Sequence, residues 1–330
     1  MSRELAAAIE TVYCCRVVRC KPKRTVWLCD TDRGSWVVKG YDDFNKAVWV
    51  TRLAHTLHQR GFTDVVRYVP TVQHVPVFKW NDQYMTAMQR LPGREGSFVH
   101  LSDIIHSLRK LAEFHLYSAS IPGGPPPDPG IPLIVKWEKR YQSFLNIYQQ
   151  LQNEGERQGR LAHLVRTGAP AILREADYVL NIARNSALTA EYTRSFYQQH
   201  IAHKDVASHN FLICGTQTSI IDLDTAGYDT PLTDIIQLIS RALVLQGWRG
   251  SVFNDAIDAY RRIRPLSREQ VALIFLMLRF PDNFMREVTG VYERKRSYQA
   301  SRVEQYLSIV MKNWNRRERF FTAYEQFLYA

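Results

Sequence analysis

Residues 203–234 read HKDVASHNFLICGTQTSIIDLDTAGYDTPLTD, and the rest of the chain is best read outward from them. His203, Asp205 and Asn210 precede a short apolar run, Phe211 to Ile213. A turn over Gly215–Thr218 then leads into a second run, Ser219 to Ile221, which ends on Asp222 with Asp224 two residues on. Carboxylates and a carboxamide thus sit at the ends of two short strands. Phosphoryl transfer needs such a set: one carboxylate to orient or deprotonate an attacking hydroxyl, and oxygen ligands to hold Mg2+ against nucleotide phosphates. One loop can present both Asp205 and Asn210, while Asp222 arrives from the hairpin partner. A lone HxD usually just ends a turn; HxDxxxxN followed by strand, turn, strand and DxD weighs against that reading.

At 330 residues the chain exceeds what one core usually fills, since cores stop growing at about 250–300 residues, and two lobes are expected. Hydrophobic side chains at 45% and charged ones at 23% are ordinary for a globular protein. The longest apolar runs, such as Val271–Leu278, fall short of the roughly 18 residues that span a bilayer, so no membrane role is expected. MSRELAAAIE carries Glu4 and Glu10 around three alanines, too short and too acidic for a signal peptide, which points to the cytoplasm. Cys14, Cys15, Cys20 and Cys29 crowd together without CxxC spacing or a nearby His, and Cys214 stands apart. Buried strand thiols are therefore expected rather than a zinc site.

The net charge of +11 and a pI near 9.5 imply acidic partners: nucleotide, anionic surfaces or acidic proteins. Much of the excess is C-terminal, among Arg302, Lys312, Arg316, Arg317 and Arg319. It is interleaved at helical spacing with Val303, Leu307, Val310 and Trp314. That is the pattern of a solvated helix face, and no nucleic-acid motif accompanies it.

Residues 12 to 40 alternate as three antiparallel strands, TVYCCRVVRC, TVWLC and SWVVKG, joined by turns at KPKR and DTDRG. Lys39 ends the third. A strand lysine is ordinarily an exposed edge residue, but beside the 203–234 stretch it is the natural partner of nucleotide phosphates. An amphipathic helix follows over Asp42–Arg60, with Phe44, Val48, Leu53 and Leu57 near one face and Gly61 as its stop. Strands are expected at Val75–Phe78 and Tyr84–Met88. QRLPGREG, which begins at Gln89, breaks all periodicity and is taken as a hinge, giving a β-rich lobe over 1–91 and a helical lobe over 92–330. Helices are expected at Leu101–Ser118, with His115 a packed core histidine, and at Ile134–Glu154, Ala169–Ala183, Thr189–His200, Ile235–Leu245, Val252–Ile263, Ser267–Leu278, Phe284–Glu293 and Ala300–Leu328. IPGGPPPDPGIP (Ile121–Pro132) reads as an exposed connector. The class is α+β: a small antiparallel sheet, then a large, mostly helical lobe bearing one hairpin.

Several of these pieces together carry a family resemblance. PKRTVWLCDTDRGSWVVK, LHQRGF followed by Pro70, PGRE (Pro92–Glu95), LAEFH (Leu111–His115), HKDVASHN, IDLDT (Ile221–Thr225), Asp234 of PLTD and RFPDNF (Arg279–Phe284) fall in order along nearly the whole chain. In this the chain resembles the bacterial spore-coat CotS family, a branch of the aminoglycoside phosphotransferase and choline kinase-like group within the bilobal protein-kinase-like fold. The resemblance implies ATP and Mg2+ as cofactors. It implies Asp205 as the catalytic, hydroxyl-orienting residue with His203 beside it. Asn210, Asp222 and Asp224 would be metal ligands, and Lys39, Asn210, Asp222 and Gln89 would be on the nucleotide. Asp234, with His203, would brace the catalytic loop. It also implies a small-molecule or protein hydroxyl acceptor, other spore-coat proteins as partners, and a place in the mother-cell cytoplasm or the coat.

Two departures stand out. FNKAVWVTRLAHTLHQR has no Glu to pair with the strand lysine, and KPKR stands where protein kinases carry a glycine-rich loop. They keep open an alternative, a catalytically impaired structural or binding protein of the coat. A weaker one is an aminoglycoside-type phosphotransferase, which calls for an acidic pocket that the sequence after the hinge does not supply.

Overall fold

The N-terminal decamer, read from sequence only as an unsuitable leader, folds as a helix. Its three alanines have high intrinsic helix propensity, and Glu4 lies favourably in the first turn. Leu5, Ile9 and Tyr13 recur every four residues, so α1 (Ser2–Tyr13) has one apolar face, buried against Cys29, Trp36, Val38, Met85 and Ala87. The first strand therefore begins at Val17 rather than near residue 12; the chain leaves the helix at Cys14, whose φ is 50°.

The computed structural model describes residues 2–124, 133–154, 159–296 and 298–325. They form two compact units, one of Met1–Pro127 with Phe196–Asp234 and the other of Asp128–Ser195 with Ile235–Ala330. The class is α+β as expected, with the antiparallel sheet N-terminal and the C-terminal part mostly helical.

In the first unit, β1 (Val17–Lys23), β2 (Val26–Thr31) and β3 (Gly34–Tyr41) are the expected hairpin strands. Lys21, Pro22 and Lys23 belong to β1, so the first turn narrows to Arg24 and Thr25. β4 (Phe78–Trp80) and β5 (Gln83–Gln89) complete a five-stranded sheet of order β1-β2-β3-β5-β4, antiparallel throughout. The strand expected at Val75 starts instead at Phe78, beyond Pro76, which cannot donate to a ladder. Of the five thiols only Cys29 is buried; Cys15 and Cys20 are half-buried, and Cys14 and Cys214 are exposed.

The helix α2 (Phe44–Gln59) starts where Asp43 accepts from the Asn45 N–H at 2.8 Å. It stops at a Schellman turn, in which Gly61 (φ 92°) donates to His58 O and Phe62 to Leu57 O. Ala47, Val50, Leu53, Ala54 and Leu57 are fully buried, whereas Phe44 leans on Tyr84 and stays half-exposed. The hinge segment contributes β6 (Arg94–Glu95). It pairs with β8 (Phe211–Cys214), which pairs in turn with β9 (Gln217–Ile220) through the tight turn expected at Gly215. α3 (Leu101–Ser118) has the bounds read from its periodicity. The short ladder of β7 (Ile201–Ala202) and β10 (Gly227–Tyr228) closes the unit.

In the second unit α4 (Leu133–Asn153) packs Trp137 and Phe144 into the core, Trp137 stacked on Phe280 at 4.2 Å and Phe144 edge-on to Phe284. α5 (Arg160–Arg184) starts nine residues before the expected Ala169, because Leu161, Val165 and Gly168 continue its buried stripe and Pro170 is carried inside the helix. α6 (Leu188–Tyr197) and α7 (Leu232–Leu245), each of which is divided between the two units, follow close to expectation, as do α8 (Gly250–Arg261), α9 (Arg268–Arg279) and α10 (Asp282–Tyr292). The single helix expected from Ala300 is divided at Asn313 into α11 (Ala300–Lys312) and α12 (Trp314–Ala323). The Asn313 amide donates to Ile309 O and so competes with the helical ladder. Arg317 is not on a solvated face. It is buried among Trp248, Trp314 and Phe321 and shares Glu175 with Arg279; burial first, then the neighbouring Arg279 charge, lowers its pKa to about 10. Most of the Ile121–Pro132 connector, and Phe327 and Leu328 of the expected last helix, lie outside the described residues. No helix among those described is long and apolar enough to cross a membrane.

Gly93 is where the hinge segment meets the site hairpin. Its φ is 121°, and a Cβ there would stand 3.0–3.2 Å from Ile213 backbone atoms. Gly93→Ala is expected to lower stability by about 1–3 kcal/mol, read as a reduced urea midpoint at unchanged slope.

Candidate functional site

Strand alternation decides where Lys39 goes. Trp36 and Val38 enter the core shared with α1, so Lys39 and Tyr41 project from the opposite face of β3. There the Lys39 ammonium lies 2.8 Å from Asp222 Oδ1 and 2.8 Å from Asp224 Oδ2. The Tyr41 hydroxyl donates to Asp224 Oδ1 at 3.0 Å and is itself hydrogen-bonded to Tyr68. Burial works against the Lys39 charge, but the two carboxylates outweigh it and hold its pKa above the ordinary lysine value. Burial likewise works to raise Asp222, and the Lys39 charge more than offsets it, so that carboxyl is held below its usual range. The Tyr41 hydroxyl is pushed up, by burial first and then by the Tyr68 and Asp224 charges, and remains a donor.

The carboxylates come from the backbone that follows β9. Asp222 takes a left-handed conformation (φ 63°, ψ 65°), which Asp tolerates better than most residues, and a single 3-10 turn, Leu223–Thr225, then carries Asp224. α2 holds this turn without any acid: the Trp49 indole donates to Ala226 O at 2.8 Å, and both groups are buried.

The loop before β8 is fixed by one carboxylate. Asp234, with no exposed surface, accepts from the His203 N–H at 2.5 Å and the Lys204 N–H at 2.8 Å, and lies 2.9 Å from His115 Nε2. Burial works to raise its pKa, but the His115 hydrogen bond and the surrounding histidines and N–H groups hold it below the ordinary value. His203 then bridges two parts of the site. Its Nε2 lies 2.9 Å from Ile221 O, a carbonyl that can only accept, so Nε2 bears the proton and Nδ1 accepts from the Asp205 N–H at 3.3 Å. Asn210 donates its amide to Asp205 O at 2.8 Å and to Asp205 Oδ2 at 3.3 Å, which leaves Oδ1 as its remaining acceptor. Its own carbonyl accepts from Ile221 N–H, so Asn210 and Asp222 are neighbours across the hairpin.

The structure thus places Lys39 on Asp222 and Asp224, pairs Asp205 with Asn210, and links the two groups through His203 and Ile221. Gln89 stands apart: it ends β5 exposed, opposite Trp36, and makes no hydrogen bond to the cluster. Sequence reasoning missed Tyr41, Tyr68 and Trp49. Tyr41 had a signal, two residues beyond Lys39 on one strand face; Tyr68 and Trp49 had none. Among the described residues no three His, Cys, Asp or Glu side chains gather as metal ligands. The oxygen set is two carboxylates and a carboxamide, hard donors that suit Mg2+. The convergence of Asp222 and Asp224 on one ammonium shows that both can address a single cation.

The chain matches the family described as "Spore coat putative kinase YutH" over residues 9–324. Among solved structures it is similar to an aminoglycoside phosphotransferase from Alicyclobacillus acidocaldarius, at 16% identity and a TM-score of 0.87, covering 98% of this chain and 96% of that one. It is also similar to a spectinomycin phosphotransferase in complex with ADP and spectinomycin (12% identity, TM-score 0.64, 95% and 98% covered). A microcompartment-associated aminopropanol kinase is a further match (13% identity, TM-score 0.63, 97% of each chain). At these identities the likeness establishes a kinase-like fold.

Replacing Asp234 by Ala should cost about 3–5 kcal/mol, since the donors it satisfies stay buried. The sign with pH follows from its depressed folded pKa. The stabilisation is complete above the unfolded value of 3.8 and is lost as pH falls through the folded one. Asp234→Asn should therefore flatten the acid limb of a stability–pH profile below about pH 4, measured by thermal melts.

Proposed function

The chain belongs to this spore-coat kinase family, and from that premise we propose that it transfers the γ-phosphoryl group of ATP to a hydroxyl acceptor. The observation that carries the reading is the meeting of Lys39 with Asp222, 183 residues away in sequence, and with Asp224, each at 2.8 Å. Mg2+, when bound, supplies charge neutralisation at the phosphates; Asp222, Asp224 and the Asn210 Oδ1 would hold it. Lys39 exchanges its carboxylates for nucleotide phosphates, anionic partners in their place. Asp205 orients the acceptor hydroxyl and takes its proton as the new bond to phosphorus forms. His203 has both ring nitrogens engaged with backbone, so its contribution is to hold Asp205 in place. Residues 1–91 would be the nucleotide lobe, with Gln89 and the hinge along the nucleotide, and 92–330 the acceptor and metal lobe.

One observation favours the second reading, a coat protein of kinase fold with impaired catalysis. Lys39 is already ion-paired with both carboxylates, and no α2 acid draws it away. In either case the expected setting is the mother-cell cytoplasm or the coat, with coat proteins as partners. The formal charge of +11 disfavours a cationic aminoglycoside as acceptor.

Calorimetry with ATP and Mg2+ should show binding by the wild type and its loss in Asp222→Ala, while Asp205→Asn should still bind nucleotide with turnover reduced about 10²–10⁴-fold. Absence of binding by the wild type would overturn the phosphotransferase reading. Tyr41→Phe should retain the fold and weaken Mg2+-dependent nucleotide binding about 10-fold, as supporting partners of metal ligands do.

A further inference from the structure

Cys20 and Cys29 face each other directly across the β1–β2 ladder, in register, with their sulfurs 2.7 Å apart. Directly opposed residues of an antiparallel pair keep their Cβ atoms about 4.5–5.5 Å apart, near the roughly 3.8 Å that a disulfide asks, so closure needs only a small inward shift. We propose that Cys20 and Cys29 form a thiol–disulfide site, which closes a cross-strand disulfide by exchange with a small-molecule disulfide. The inference does not rest on the phosphotransferase reading.

The two thiols are unequal in the way such exchange requires. Cys20 is half-buried on the edge strand, between exposed Arg19 and Lys21, and is the sulfur that an incoming anionic disulfide can reach. Cys29 is 1% exposed and sits in the core cluster beneath α1. The two thiols share one hydrogen bond, in which either sulfur can donate; it lowers the Cys20 pKa despite partial burial, while that same bond and burial push Cys29 up. Cys20 is therefore the attacking thiolate and Cys29 the resolving thiol. In the first step Cys20 Sγ bonds to one sulfur of RSSR and the S–S bond breaks, releasing one RS−, which takes up a proton. In the second, Cys29 gives up its proton, attacks Cys20 Sγ, and expels the other RS−, which is protonated. The two protein thiols are oxidised and RSSR is reduced to two RSH. With no third Cys, His, Asp or Glu completing a metal site among the described residues, the pair has no competing metal role. The cross-link would fasten β1, an edge strand with β2 as its only ladder partner, to the core.

The test is intact-mass and peptide mapping of the full chain after exposure to oxidised glutathione. Wild type should lose the mass of two hydrogen atoms in a Cys20–Cys29 cross-link and keep no glutathione on Cys20. Cys29→Ser, which can start the exchange but not finish it, should hold a stable glutathione adduct on Cys20. Cys20→Ser should leave Cys29 unmodified. Exposed Cys14 and Cys214 report in every sample that the reagent was active. A persistent adduct on Cys20 in the wild type, or modification confined to Cys14 and Cys214, would overturn the proposal.

Discussion

One buried carboxylate organises the loop on which the site is built. Asp234 collects two consecutive backbone N–H groups and a histidine from α3, all in a place water does not reach. A buried charge with so many donors is stable only while all of them are present, so the loop backbone has little freedom to vary. Lys204 shows the constraint directly: it is held at a φ of 67°, a conformation its own side chain does not favour. From that fixed backbone His203 reaches Ile221 and sets the height of the hairpin against the loop. The position of Asp205 relative to Asp222 is thus inherited from Asp234 rather than made by either residue.

The facing half of the site follows a different rule. Two carboxylates against one ammonium leave a net negative charge, stabilised by a tyrosine hydroxyl pair that can donate but not ionise under ordinary conditions. No acid on α2 contends for Lys39. The helix braces the same turn with an uncharged hydrogen bond from Trp49, and among the described residues the lysine's ion-pair partners are Asp222 and Asp224.

Much of this was legible because it is local. The order of strands up to Lys39, the bounds of α3, the hairpin after Asn210 and the placing of His115 as a core residue all follow from periodicity and turn chemistry within short windows. What was not legible depends on partners distant in sequence. What the apolar face of α1 covers is set by the sheet beneath its leucine, isoleucine and tyrosine, and Arg317 looked like surface until Glu175 and three aromatic rings closed round it. α5 depends on distant partners too, since the packing of Leu161, Val165 and Gly168 carries it back to Arg160 with Pro170 inside. Of the candidate site residues, those in HxDxxxxN and DxD were picked out by their spacing. Tyr68 and Trp49 carry no spacing at all; only the folded chain brings them there.

The hydrogen bond from Trp49 to Ala226 also has a mechanical meaning. A helix is stiff along its axis, and this one is tied at one point to the turn that carries Asp224. Small rotations of α2 are therefore not absorbed by a slack loop but delivered, as by a crank, to the carboxylate beside Lys39. Through the indole nitrogen the attitude of a helix bears on the spacing of two charges.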